Sequence, residues 1–517
     1  MRTHAIFILL IFVLIIFQTT NAQEKWTPKI LGPNNKVYLP DYSYAGYKWS
    51  EEEIPNLKST VSILKYGAKP NDEIDDTEAI IKAIKSESSK KGVKVISFPK
   101  GKFIISEIIY ITQSNLVLQG AGNGKGGTIL YVPRPLSKMK LTEKFKARKD
   151  YMIKNNKKVH GKYFSIFSWS GGVITIKKPA TTMKPKFIKA IKGQRGQHSI
   201  TFTKTSDFKE GDSLLIRWVS SKNKEMIQHV FGKGKIKIGE KVIKGVKAKQ
   251  MITVTKVFKN IIETKEPLIH DIKEDWEVTL NKKIFLEHVG IENFHIQFKE
   301  KKYKGHHLED GFNAIHANDL QHSWLRNITI SHADSGLLVG NCKNISIDGL
   351  ITKGRKGHYS AKIGGSSYVL VTNFSFQAYA IHNPSFNTYC TGSVYTNGKV
   401  KEGRLDQHNG CNQYNLMDNM RVDIGDYLFH HGGANYHSPT SGLFNTFWNI
   451  QIKKMNRNAP IKCHDAPGAR LIGIYCKTKK IKLDYKPKPY LEGLNKSGIN
   501  IPSLFEYQLK RRKEKIK

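Results

Sequence analysis

Cysteine is scarce in this chain, with five residues (Cys342, Cys390, Cys411, Cys463 and Cys476) among 517. They are too few and too scattered for a disulfide framework, and small buried thiols are the expected state. No two stand in a CxxC spacing, which removes a thiolate zinc site. Acidic residues are also short: 43 Asp+Glu against 84 Lys+Arg leave a formal net charge of +41. Such a chain calls for a polyanion, whether nucleic acid, anionic lipid or acidic polysaccharide. Long apolar runs are absent except Ala5 to Phe17, 13 residues behind Arg2 and ahead of Thr20-Asn21-Ala22-Gln23. That is the layout of a secretory signal over residues 1–23, and it falls short of the roughly 20 residues of a membrane span. The mature chain is therefore expected to be secreted or periplasmic, with no membrane span after signal removal. Export sets nucleic acid aside and puts an acidic polysaccharide first. Hydrophobic residues at 39% suffice for a core and exclude wholesale disorder.

What is present is mostly strand. After a Pro/Tyr-rich leader (24–60), Val61-Ser-Ile-Leu-Lys-Tyr-Gly-Ala leads into Asp75-Asp-Thr-Glu-Ala-Ile-Ile-Lys-Ala-Ile. The latter predicts a helix with Asp76 as N-cap and Ala79, Ile80, Ala83 and Ile84 on one apolar face. Short strands follow over Val93 to Phe98, Lys102 to Ile105, Ile108 to Ile111, Asn115 to Leu118 and Thr128 to Val132. The Gly-rich turn from Gly120 lacks a Gly-Lys-Ser/Thr ending and opens no helix, so it is not a phosphate loop. Residues 140–283 read as a Lys-rich β insertion, with antiparallel alternation over Gly193 to Trp218 and Lys247 to Lys256. From 284 to 480 the pattern repeats: Asn293, Asn327, Asn344, Asn373 and Asn449 each precede alternating apolar residues. That is a solenoid signature, with the asparagines at turn corners, where αL geometry suits them. Residues 481–517 form a basic C-terminal tail.

The opening order, strand-Tyr-Gly-Ala, Asp-Asp-Thr-Glu-Ala-Ile, Val-Ile-Ser-Phe-Pro-Lys-Gly-Lys-Phe and Leu-Gln-Gly-Ala-Gly, resembles the start of pectate-lyase-superfamily proteins over Val61 to Val132. The resemblance implies an all-β, right-handed parallel β-helix with an N-terminal capping helix, built here over 61–139 and 284–480. It also implies a polysaccharide lyase or glycoside hydrolase, because the fold hosts both.

Histidine carries the chemistry. Of 19 histidines, 11 lie between His306 and His437. Six form a ladder, His307, His332, His358, His382, His408 and His431, with steps of 25, 26, 24, 26 and 23. Coils of that length would stack them on one face about 4.8 Å apart. Asp334 shares a strand face with His332, and Arg404, Asp406 and His408 share another. Catalytic roles are expected for His408, His358, Arg404, Asp406, Tyr359 and His332. Substrate contacts are expected from Arg355, Lys362, His382, His431, Asn412 and Tyr436. Other flanking aromatics, including Trp324, Tyr379, Tyr414, Tyr427 and Trp448, are core packing or sugar platforms.

Two reactions fit an acidic glycan. In β-elimination a His or Tyr base takes the proton α to a uronate carboxylate, and Arg or Lys neutralises the charge. Hydrolysis needs paired carboxylates, from Asp334 and Asp406 or from Glu309 and Asp310. Elimination is favoured; a hydrolase on a sulfated or acidic glycan and a non-catalytic polyanion-binding adhesin are the alternatives. The protein is expected to be a monomer without cofactor. Calcium, common in pectate-lyase relatives, needs a carboxylate cluster that the sequence does not show. Zinc on His306-His307 or His430-His431 is disfavoured, because neighbouring strand residues point to opposite faces.

Overall fold

Alternate residues along the strands turn inward, and each coil closes its core only against the next. In Gly290–Phe298 every second side chain from Phe294 onward is buried, and Val394–Glu402 and Leu416–Ile424 repeat the pattern. Residues 25–180, 184–205 and 207–516 are described by a computed structural model. The expected signal segment, residues 1–23, lies outside the described residues.

The strands stack in parallel into two principal sheets. A 16-stranded sheet runs from Val61–Ser62 through Gly290–Phe298, Leu370–Thr372 and Thr446–Lys454 to Tyr490–Glu492. An eight-stranded sheet runs from Ile109–Ile111 through Ile174–Ile176, Asn313–Asn318, Ser335–Gly340 and Gly357–Gly364 to Ser385–Phe386 and Asp406–Gln407. Between them lies a continuous apolar core that includes Leu118, Phe294, Leu337, Phe386 and Phe447. This is the expected parallel β-helix.

The corner asparagines explain the coil geometry. Asn293, Asn327, Asn344, Asn373 and Asn449 all have φ between 47° and 64°. Several bond to the next coil: Asn327 Nδ2 donates to Asn293 Oδ1 at 3.1 Å, and Asn449 Nδ2 to Asn419 Oδ1 at 3.0 Å. Their amides cap the turn, and αL costs Asn less than other side chains.

The N-terminal helix forms over Thr77–Ser88 with Ile80, Ala83 and Ile84 buried. Its cap differs from the expectation. Asp76 turns away to accept the backbone N–H groups of Lys69 and Ile104, and Asp75 accepts from Thr77 instead.

The segment 140–283 divides. Ile174–Ile176 pairs with Ile109–Ile111 and Asn313–Asn318 and so belongs to the solenoid. Strands from Ile188–Lys192 to Glu277–Lys282 close a six-stranded antiparallel barrel around Trp218, Trp276 and Phe202. The barrel docks on the coils through Tyr414, Cys411 and Phe444. At that junction Lys343 Nζ lies 2.6 Å from Glu266 Oε1, with both side chains fully buried. Thr253 Oγ1 and Asn344 Oδ1 also accept from Lys343, while Trp49 Nε1 and Thr253 N donate to Glu266. The C-terminal region is no free tail. Tyr490–Glu492 extends the long sheet, and the helix Leu504–Ile516 packs with leader residues Ile30 and Tyr42 over Leu416 and Trp448. All five cysteines are free thiols.

Candidate active site

Four neighbouring strands of the eight-stranded sheet deliver a row of imidazoles. Gly357–Gly364 carries His358, Tyr359 and Lys362; Ala380–His382 ends in His382; Ser385–Phe386 follows; and Asp406–Gln407 runs into His408. Tyr359 pairs with His382 and Ser385 with Asp406 in the backbone register. The rings of His358 and His382 are 5.3 Å apart, and those of His382 and His408 are 4.9 Å apart. Tyr359 stacks on both His358 and His382, at 4.3 and 5.0 Å. At one end the turn before Leu308 adds His306 and His307, whose rings stack at 3.7 Å, with His306 4.7 Å from His358. At the other end Gly432 closes over the row. A Cβ there would stand 2.3 Å from His382 Cε1 and 2.4 Å from His408 Cε1, so the loop approaches this closely only with glycine.

Buried carboxylates hold the imidazoles from behind. Asp406, with no exposed surface, places Oδ2 3.0 Å from His408 Nδ1 and 3.2 Å from His382 Nδ1. Ser385 Oγ and the Gly432 N–H also donate to it, each at 2.6 Å. Against the penalty of its burial, the two histidines hold Asp406 well below the usual carboxylate range. An ionised acceptor fixes the proton of His408 on Nδ1 and leaves Nε2 with its lone pair. Glu309 does the same at the other end. It lies 3.0 Å from His358 Nδ1 and accepts from Ser168 Oγ at 2.7 Å and Tyr303 OH at 2.8 Å. Although burial works against ionisation, the His358 contact holds Glu309 down to about 2. Burial lowers His358 to about 4 and also pulls His408 below its ordinary value. His408 keeps 16% of its side chain exposed, whereas His358 is sealed at 1%.

The cation beside the row is Lys362. Its ammonium donates to the Trp169 carbonyl at 3.2 Å and lies 5.8 Å from the Tyr359 ring centre. Burial brings it down to about 8, with the Arg148 charge adding to the shift. Burial drives Tyr359 far above 10, so its phenol keeps its proton. Trp169 and Phe164 pack on His307 at 5.5 and 4.8 Å, and beyond them a cavity of about 480 Å³ opens between the helix Glu143–Lys154 and Leu308–Glu309.

Other sequence-predicted residues are placed elsewhere. His332 takes a left-handed corner (φ 62°) facing Glu300 at 3.7 Å, outside the row. Asp334 does not join it: Arg355 binds one oxygen at 2.8 Å, and the N–H groups of Gly311 and Phe312 bind the other. Arg355 is thereby held as a half-buried strut on Asp334. Arg404 pairs with Glu402 at 3.0 Å and lies over Tyr427, so the expected face shared with Asp406 does not form. Asn412 spends its amide on the carbonyls of His408 and Thr440 and on Asn445, which makes it a brace. His431 is half-buried near Asp406, and Tyr436, 45% exposed, stands at the rim under Lys241. Asp310 pairs with Lys304 at 2.7 Å, and Trp324 and Trp448 are core. Sequence reasoning gave Glu309 no histidine partner and missed Ser385, Trp169 and Arg148: none carries a local motif, and Glu309, Trp169 and Arg148 reach the row from distant parts of the chain.

Among the described residues two groups could hold a metal: His306, His358 and His382, and His382, Asp406 and His408. Calcium takes six to eight oxygens. One carboxylate among imidazoles does not fit it.

Residues 60–288 match the family model described as "Rhamnogalacturonase A/epimerase, pectate lyase-like". No curated protein matches the chain. Solved structures that resemble it include the gp49 tailspike of Pseudomonas phage LKA1, at 12% identity and a TM-score of 0.44, covering 84% of this chain and 81% of that one. The gp54 tailspike of Acinetobacter baumannii bacteriophage AP22, in complex with capsular saccharide, gives 9% and 0.37, covering 84% and 69%. An iota-carrageenase with iota-carrageenan fragments gives 8% and 0.34, covering 78% and 59%. With its first coils inside that match and its strands stacked in parallel to Tyr490–Glu492, the chain folds as a parallel β-helix whose residues 60–288 are similar to that pectate-lyase-like family.

Proposed function

We propose that this protein is a carbohydrate-active enzyme that cleaves an acidic, uronate-containing polysaccharide by β-elimination, with His408 as the base. One observation carries the choice of reaction: the buried carboxylates stand behind imidazoles, so a histidine nitrogen and not a carboxyl group is presented to the opening. Hydrolysis asks for a carboxylic acid kept protonated beside the glycosidic oxygen. Asp406 and Glu309 are held ionised, and Asp334 is enclosed by Arg355 and two backbone N–H groups.

In the proposed reaction His408 Nε2 takes the proton α to the carboxylate, and the electron pair moves into an enediolate. The bond to the leaving glycosidic oxygen then breaks, a C=C bond forms, and the oxygen leaves with a proton from Tyr359 or water. Lys362 faces the carboxylate on which charge develops. Lysines at both ends of the row, Lys149 and Lys162 beside the cavity and Lys241 near Tyr436, gather the polyanion.

The test is a screen of acidic polysaccharides that follows unsaturated-uronate absorbance and reducing ends together. Both rise for a lyase. Reducing ends rising alone sink elimination, and binding without either leaves an adhesin.

Two further results are expected. Glycan binding weakens steadily with added salt, since exposed charges are screened beyond about 8 Å at physiological ionic strength; equal binding at low and high salt would rule out an acidic substrate. Turnover falls as pH rises through about 8, because Lys362 is charged below that value and neutral above it. The groups around it are Arg148, Tyr359 and His408. Lys362→Arg keeps the charge and should carry the alkaline limb upward. An unmoved limb assigns it to another group.

A further inference from the structure

The imidazole row contains more histidine nitrogen than a single base requires. His306, His358 and His382 each bring a ring nitrogen within 4.8 Å of one from each of the others, although 76 residues separate the first from the last. His358 and His382 are 1% and 3% exposed, and Nε2 of His358 is buried without a hydrogen-bond partner. A buried polar nitrogen left unpaired is costly, and it points to a missing ligand. Behind the row, Glu309 lies 3.0 Å from His358 Nδ1 and Asp406 lies 3.2 Å from His382 Nδ1. A carboxylate on the far nitrogen of an imidazole is how proteins orient metal-binding histidines and raise their basicity.

We propose that His306, His358 and His382 form a binding site for one divalent transition-metal ion of the zinc class. Three imidazoles match its preference for nitrogen, and exposed His306 leaves a fourth position open to solvent. Glu309 and Asp406 are positioning residues. The site departs from the cofactor-free expectation because its ligands come from three coils, where no sequence spacing could announce them. It does not depend on the elimination reading, since occupancy is measured without substrate.

The full chain, stripped with chelator and dialysed, is titrated with zinc chloride and its metal content read by mass spectrometry. One equivalent is expected, and cobalt(II) in its place should give the visible absorption of a tetrahedral site. His306→Ala, on the surface, should lose most of the affinity with its circular dichroism unchanged. Glu309→Gln should weaken binding 10- to 100-fold, the usual effect of removing such a partner. A folded wild-type chain that takes up less than about a tenth of an equivalent overturns the proposal. So does stoichiometric uptake that persists unchanged in both His306→Ala and His358→Ala. Polysaccharide cleavage by metal-free protein would leave the proposed function standing and make any bound metal structural.

Discussion

His408→Ala should lower turnover on an acidic polysaccharide by at least ~100-fold, the scale of a general base, while glycan affinity and melting temperature stay near wild type. The two halves of that expectation have separate grounds. His408 is the imidazole in the row with both a buried carboxylate at Nδ1 and an exposed flank. Removing it leaves Asp406 with His382, Ser385 and the Gly432 N–H, so no buried charge is stranded. Turnover per folded molecule, measured beside a melting curve, decides the matter. A variant that remains fully active takes His408 out of the mechanism.

The largest effect on stability is expected from Lys343→Met. Lys343 and Glu266 join barrel and solenoid with no exposed surface, and every polar atom of the pair has a partner. Methionine replaces the volume but strands the Glu266 charge in the interior. Breaking such a pair from one side costs about 3–5 kcal/mol. The double variant Lys343→Met, Glu266→Gln should recover a substantial part, because the uncompensated charge is then gone. Denaturant unfolding of the wild type and the variants gives both numbers. A Lys343→Met protein as stable as wild type would show that water reaches the junction.

The corner asparagines were legible as asparagines because their role is local. An αL residue at a turn needs only its own side chain and backbone, and all five positions singled out from sequence adopt it. The strands Thr128–Val132 and Ile109–Ile111 followed from alternation for the same reason. The histidine ladder was legible as a region but not as a register. Tyr359 lies opposite His382 and Ser385 opposite Asp406, so coil lengths differ from the spacing of the histidines. The rings of His358, His382 and His408 meet through side-chain reach, while His332 is left at a corner.

Composition and periodicity thus determined by themselves the excess of positive charge, the solenoid repeat and the stretch of chain where histidines gather. Each of these depends on residues near one another in sequence. The tertiary structure decided which charged groups are free. Arg355 and Arg404 looked available and are bound by Asp334 and Glu402, whereas Lys362 stands beside the row. It also decided that Glu309 and Asp406 support histidines instead of acting as a hydrolytic pair. Burial and hydrogen bonding between coils set those roles, and a linear chain carries no record of which coil lies above which.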